Sequence, residues 1–396
     1  MNYVRAILCT AIFFVQSVAA QNTGYTGFWA RTVGKLPALA YGLGEDRLGG
    51  AKMGYLDTSV LLKVVDTAKS MFQVQLSKNH FAYIDKQFIV VDTTALDKPL
   101  TPFPYTSNSI IAKGDSLFDY VSIRLPEKLP YKSWMDINPS KINIDIYGVA
   151  SNTNWITQLS SLQEVKNVYY HQVEDDVLRV TIELQHKQHW GYALSYGAKG
   201  LELMVRRQPQ KLDLNTMIVA IDAGHGGSNV GADGICTKVQ EKNATLLFAK
   251  ALEQHLRDAG VENLIMTRGS DSSFDNKDRI LWLQAQLPHV VISLHLNSSG
   301  SPLISGTSTY YKHIGFRPLT QTILNRMLEL GLNEFGNVGS FNFALSQPTE
   351  FPSCLVEIAF LSNLDDEQKI INPDFQKDVA KKIHAGLQDW LKRVER

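Results

Sequence analysis

Cysteine is scarce, with three residues in a chain of 396. Cys9 lies in the first apolar run behind bulky Leu8, too near the start for a lipidation site. Cys236 and Cys354 stand far apart and define no disulfide framework in a chain this size, so two free thiols are expected. An excess of one charge is also missing. Lys plus Arg equals Asp plus Glu at 39 each, so the totals give no electrostatic case for nucleic acid or an anionic membrane as partner. No internal repeat or low-complexity tract is present. Beyond the N-terminus no apolar run approaches the ~20 residues of a membrane helix, so no stable membrane insertion is expected. What is present is an ordinary globular composition, 44% hydrophobic and 20% charged, which argues against disorder. At about 100–200 residues per domain, the length suggests two or three domains.

The first twenty residues have the order of an export signal. Arg5 supplies a positive charge, residues 6–15 are apolar, and Ser17-Val18-Ala19-Ala20 is a small-residue cleavage site. The run is short for a bilayer span. Residues 1–20 are therefore set aside as a signal peptide, and the mature chain is expected in the periplasm or the extracellular cell-wall space.

Two turn-rich stretches, 97–104 with three prolines and 206–210, are expected to be linkers. They divide the mature chain into segments 30–96, 105–208 and 215–396. In the first, Phe72, Val74 and Leu76 alternate with Gln73 and Gln75. Asp85-Lys86 between two apolar runs is a hairpin cue, and a small barrel is expected. In the second, Ile142, Ile144 and Ile146 alternate with Asn143 and Asp145, and Leu178, Val180, Ile182 and Leu184 alternate with Arg179, Thr181 and Glu183. Strict alternation predicts one buried and one wet face, as in an antiparallel sandwich. The third segment changes character. Apolar strands at 217–221, 264–266, 290–294 and 355–360 are separated by helical patterns. Ala244, Leu247, Phe248, Ala251, Leu252 and Leu256 make one such stripe, ended by Gly260. The expected architecture is an α/β catalytic domain, a mainly parallel sheet covered by helices, preceded by two small all-β domains.

Chemistry-bearing residues gather at the element ends of this third segment. His225 follows the first strand in Asp222-Ala223-Gly224-His225-Gly226-Gly227, Glu241 opens the amphipathic helix, and His295 ends the 290–294 strand. The carboxyl edge of an open α/β sheet is where sites form. Two imidazoles and a carboxylate are the ligand set of a catalytic zinc, whose fourth position stays open to water. Glu357 sits inside an otherwise apolar strand, where a carboxylate without a partner is costly, and it is the candidate general base. Asn297 is a candidate for orienting His295 or touching substrate. Arg268 and Arg279 are expected to make structural ion pairs, and His255, His289, His313 and His384 lack motif context. These residues alone indicate a zinc hydrolase of an amide or ester.

Taken as ordered motifs, they resemble the zinc-dependent N-acetylmuramoyl-L-alanine amidases of the family-3 type. The stretch 222–227, Glu241-Lys242-Asn243, Ser293-Leu294-His295-Leu296-Asn297-Ser298 and 352–363 are similar to the family's four motifs, with Thr267-Arg268, Asp271 and Arg279 matching in order. The likeness spans about residues 216–393; Ala223 and Cys354 depart from it without touching a ligand. It implies one Zn2+ per chain on His225, Glu241 and His295, Glu357 as base, and peptidoglycan as substrate, cut between N-acetylmuramic acid and L-alanine. An exported zinc peptidase acting on the stem peptide is the alternative. Segment 105–208 resembles the AMIN domains that precede cell-wall amidases, on Ile146-Tyr147-Gly148, the strand 177–184 and Trp190-Gly191-Tyr192. Segment 30–96 resembles SH3-like domains in length and strand rhythm. Some family members carry an inserted helix that plugs the site. Here 298–351 is accounted for by a strand at 306–312 and a helix at 319–332, so an open groove needing no activator is expected.

Overall fold

The structure, a computed structural model, describes residues 27–44, 49–95 and 104–395. The export signal and nearly all of the 97–104 stretch lie outside these residues.

The amino-terminal unit is a seven-stranded sheet. Its order is Lys52–Tyr55, Ala38–Ala40, Phe81–Asp85, Met71–Gln75, Leu61–Ala68, Phe28–Thr32, Ile89–Val91. The hairpin expected at Asp85-Lys86 does not form. The Asp85 carboxylate accepts from Gln87 N and caps a short 3-10 turn, Lys86–Phe88. The turn carries the chain across the sheet, where Ile89–Val91 pairs with Phe28–Thr32 instead.

The second unit packs two mainly antiparallel layers around one core, with Ile156–Gln158 pairing parallel to Ile110–Gly114 at one edge. Five strands include Ile110–Gly114, Phe118–Arg124 and Gly200–Arg206; four include Ser140–Tyr147 and Val177–Leu184. The expected wet face of Ser140–Tyr147 is corrected, because Asn143 and Asp145 are buried. Their neighbours cover them. Arg179 grips Asp145 at 2.7 and 3.0 Å while its guanidinium lies over the Trp134 ring. Asn143 bonds Asp136 and Thr181. A polar alternation is thus closed by cross-strand pairs, which a binary pattern cannot reveal. The apolar residues of the first two units form one continuous cluster.

The stretch 206–210 is no loose linker either. Arg206 ends a strand and is buried, and its guanidinium donates to the carbonyls of Leu287 and Pro288. Those carbonyls lie just beyond the carboxyl end of a helix of the third unit, where a nearby cation is favoured by the helix dipole. Arg207 is ion-paired with buried Asp119 at 2.7 Å. Trp190, from the second unit's chain segment, is buried in the third unit's core against Trp390, ring centroids 5.1 Å apart.

The third unit carries the site. Its strands are β1 (Val219–Ala223), β2 (Leu264–Met266), β3 (Val290–Asn297), β4 (Thr307–Tyr310), β5 (Glu334–Val338) and β6 (Ser353–Phe360). They form a six-stranded sheet in the order β2-β1-β3-β6-β4-β5, with every pairing parallel except β4 with β6. The helices are α1 (Glu241–Asp258), α2 (Asn276–Gln286), α3 (Arg317–Leu328), α4 (Leu364–Ile370) and α5 (Pro373–Val394). Helix α1 buries Ala244, Phe248, Ala249, Leu252 and Leu256. Leu247, expected on that stripe, is 51% exposed. Helix α3 buries Leu319, Ile323 and Met327 in the same core as α5 and is tied to it by Arg326–Asp389 and Lys382–Glu329. Among the described residues no helix is long and apolar enough to cross a membrane, which says nothing of strands. Cys236 is an exposed and Cys354 a buried free thiol.

Candidate metal centre

The register of the parallel strands sets the site. Pairing of Val219–Ala223 with Val290–Leu294 brings the chain after β1 beside the end of β3. His295 is the cross-strand neighbour of Glu357 on β6 and Ser308 is its neighbour on β4, so these side chains share one face. Glu241, the first residue of α1, reaches the same place. The loop before α1 closes its first turn by backbone bonds, Glu241 N to Ala232 O and Lys242 N to Val230 O, since Gln240 provides no side-chain cap.

His225, Glu241 and His295 converge. Their ligand atoms all lie within 4.8 Å of one another. His225 Nε2 is 3.0 Å and His295 Nδ1 3.1 Å from Glu241 Oε1. The rings meet edge-on, centroids 5.0 Å apart at 75°. Glu241 also accepts from Ala232 N at 2.9 Å and Leu296 N at 3.0 Å, which fixes the carboxylate. This donor set fits a metal ion. Donors about 2.0–2.1 Å from a tetrahedral zinc stand roughly 3.3 Å apart, close to the spacing seen here.

The surroundings hold the donors in place. His225 has φ of +62°, a left-handed conformation costly for a residue with a side chain. Arg279 holds it there, donating to His225 O, Ala223 O and the buried Asp222 carboxylate. Thr267 and Ser293 also donate to Asp222, each at 2.6 Å. Burial opposes charge on Asp222, but Arg279, His295 and the hydrogen bonds from Ser293 and Thr267 together outweigh it, and the carboxyl is held below its usual range. The expected ion pair thus exists for Arg279. Arg268 differs: it binds the carbonyls of Ala223, Gly224 and Lys242 and the Thr245 hydroxyl. Gly224 is required by contact, since a Cβ there would stand 2.4 Å from the His295 ring. Gly231, at φ +73°, is required both by conformation and by Glu241, whose Oε2 would lie 2.5 Å from a Cβ.

Asn229 is a site residue that sequence reasoning missed. Its Oδ1 lies 2.9 Å from His225 Nδ1, so accepting that proton leaves Nε2 to face Glu241. Nothing in the primary structure marks it beyond its place four residues after the histidine. Asn297, expected to orient His295 or touch substrate, has its side chain on Ser298 N and the Tyr310 hydroxyl, with no bond to the His295 ring among those described. Glu357 is 6% exposed. Burial, with the Glu357 charge adding to it, pushes the nearby Tyr310 hydroxyl up. Burial works against charge at both Glu241 and His225. Hydrogen bonds from His225 and His295 nonetheless hold Glu241 well below the usual carboxylate range, and Glu241 holds His225 above the ordinary imidazole value. His255 and His384 lie elsewhere, paired with each other across α1 and α5. His313 Nε2 lies 2.8 Å from Gln347 O, and His289 Nδ1 accepts from Ile218 N.

Residues 219–389 match the family model described as N-acetylmuramoyl-L-alanine amidase. A putative N-acetylmuramoyl-L-alanine amidase of Buchnera aphidicola is 29% identical over 215 residues, covering 45% of this chain and 99% of that protein. The N-acetylmuramoyl-L-alanine amidase AmiC of Escherichia coli is 26% identical over 221 residues, 44% of this chain; the chain spans about half, 53%, of that relative's length. The catalytic domain of the amidase CwlV from Bacillus (Paenibacillus) polymyxa is 31% identical over 45% of this chain and 99% of that one, with a TM-score of 0.42. The family model and the curated relatives support N-acetylmuramoyl-L-alanine amidase activity for this carboxy-terminal unit.

Proposed function

We propose that the protein is an exported, zinc-dependent N-acetylmuramoyl-L-alanine amidase that cuts peptidoglycan between the lactyl carbonyl of N-acetylmuramic acid and the nitrogen of L-alanine. The observation that carries this reading is the meeting of His225, Glu241 and His295 around one carboxylate oxygen, with buried Glu357 on the adjoining strand. His225 Nε2, His295 Nδ1 and Glu241 would hold the ion. Zinc bound there supplies Lewis acidity, which polarises an amide carbonyl and lowers the pKa of water toward about 7.

The chain's own residues do the rest. Glu357 takes the proton of the attacking water and returns it to the departing amine nitrogen. Asn229 fixes the tautomer of His225, and Arg279 fixes its backbone, so little reorganisation remains at the moment of reaction. We assign residues 30–96 and 105–208 as SH3-like and AMIN-like units. We also assign an open groove that needs no activator, which the packing of α3 against α5 favours.

The test is digestion of purified sacculi by the full-length chain alone, followed by mass spectrometry of the soluble products. Intact stem peptides freed from glycan are expected. Shortened peptides would indicate the peptidase alternative. Inertness until a partner protein is added would overturn the open groove.

A further inference from the structure

Helix α1 carries a histidine, His255, near its far end, 14 residues or about 21 Å from Glu241. His255 faces His384 of α5 across the seam between the two helices. His255 Nε2 and His384 Nδ1 are 3.1 Å apart, with ring centroids 5.1 Å apart at 66°. That disposition is nearly the one adopted by His225 and His295, at 5.0 Å and 75°. Neither ring has a role in the hydrolysis proposed above. We propose that His255 and His384 form a second, two-imidazole site for a late first-row divalent ion such as zinc, nickel or copper.

The geometry meets the demands of such an ion. Two nitrogens about 2.0–2.1 Å from a tetrahedral metal stand roughly 3.3 Å apart, so the rings need to part by only a few tenths of an ångström. The helices hold them there. Around the pair, Phe248, Leu252 and Leu256 of α1 and Val379, Ile383 and Leu387 of α5 are buried in one core, and Phe248 meets Phe375 edge-on. Both imidazoles are only half-buried, which leaves the remaining coordination positions to water.

The outer partner of a metal-bound imidazole is also present. Gln388, one turn beyond His384, has its amide nitrogen 3.1 Å from His384 Nε2. Turning that amide over exchanges its oxygen for its nitrogen without changing its shape. The oxygen then accepts Nε2–H, and Nδ1 is left with a lone pair directed at His255. The protonation state is suitable as well. Burial, and then the Lys381 charge against the opposing Asp258, lowers His255; burial and the neighbouring imidazole lower His384. An ion held here would staple the helix that presents Glu241 to the carboxy-terminal helix.

The test counts zinc bound by the tag-free, full-length chain, by calorimetric titration with zinc alone near pH 7.5. Wild type is expected to bind about two equivalents. His255→Gln and His384→Gln should each bind about one. Glutamine suits a helix interior, and far-UV circular dichroism of both variants should match wild type. His225→Ala should also bind about one, losing the other ion. Copper(II) paramagnetic resonance on chain already loaded with one equivalent of zinc is a second measurement, needing no variant; coupling to two imidazole nitrogens is expected. A single equivalent in wild type, or a second that survives His384→Gln, overturns the two-imidazole site. An unchanged count in His225→Ala overturns the metal centre and leaves the two-imidazole site standing.

Discussion

Replacing Gly224 by alanine puts the metal centre under a defined load. A Cβ at this position would stand 2.4 Å from His295 Cε1, 2.6 Å from Nε2 and 2.7 Å from Nδ1. Carbon atoms pack at about 3.5–4.0 Å, so the ring must withdraw by roughly 1 Å. The His295 backbone is held in β3 between β1 and β6, so the movement falls on the side-chain torsions. Overpacking of this kind costs about 1–3 kcal/mol. For a unit of this size each kcal/mol lowers the melting temperature by roughly 2–4 °C, so a fall of about 2–12 °C is expected. Displacing Nδ1 breaks its 3.1 Å approach to Glu241. Zinc affinity should fall by at least the ~10–100-fold typical of losing an outer partner, and activity by about 100-fold. Gly300→Ala is the control. A Cβ there would meet nothing within 4 Å and the glycine has no positive φ, so the change should stay within about 0.5 kcal/mol. Calorimetric melting and zinc titration of the two variants decide the matter. A Gly224→Ala chain with wild-type melting and wild-type zinc affinity would refute the packing of His295 over Gly224.

Asn229→Ala should weaken zinc binding by about 10–100-fold and Asn229→Asp should restore most of it, read by competition with a chromophoric chelator. Arg279→Met leaves Asp222 buried without its counter-charge and should destabilise the carboxy-terminal unit by about 3–5 kcal/mol in urea unfolding; a change under about 1 kcal/mol would contradict the ion pair. The metal-free chain should show a pH window. Glu241, held below its ordinary 4.5, stabilises above that value and loses its effect as pH falls through the folded pKa. His225, held above 6.5, stabilises below that value and loses its effect as pH rises through the folded pKa. The pair therefore helps most between 4.5 and 6.5. Zinc must displace the His225 proton, so its affinity should instead rise from about pH 5.5 to 7.5. Melting of the metal-free chain that climbs steadily to pH 8 would contradict this assignment.

Legibility in the primary structure followed burial. Continuous apolar runs such as 290–294 and 355–360 form central strands because both their faces are covered, and their polar exceptions, His295 and Glu357, stood out for that reason. Helix α1 was legible from its stripe, although Leu247, placed on that stripe, is exposed and Ala249, which the stripe leaves out, is buried. Strand β5 was not read. It lies at the sheet edge with Glu334 and Phe335 exposed, so it lacks the apolar face that would announce it. Asn143 and Asp145 misled because their cover, Arg179, Trp134 and Thr181, comes from other strands. Within the site, residues at element ends were visible as candidates. Those that act through them were not, since Asn229 and Gly224 depend on which chain segments the fold brings together.

The central claim is most directly tested with Glu357→Gln, loaded with zinc and given purified sacculi. The account predicts wild-type zinc affinity together with a fall of about 10²–10⁴ in the rate at which intact stem peptides appear by mass spectrometry. Release at the wild-type rate, with the metal still bound, would contradict it.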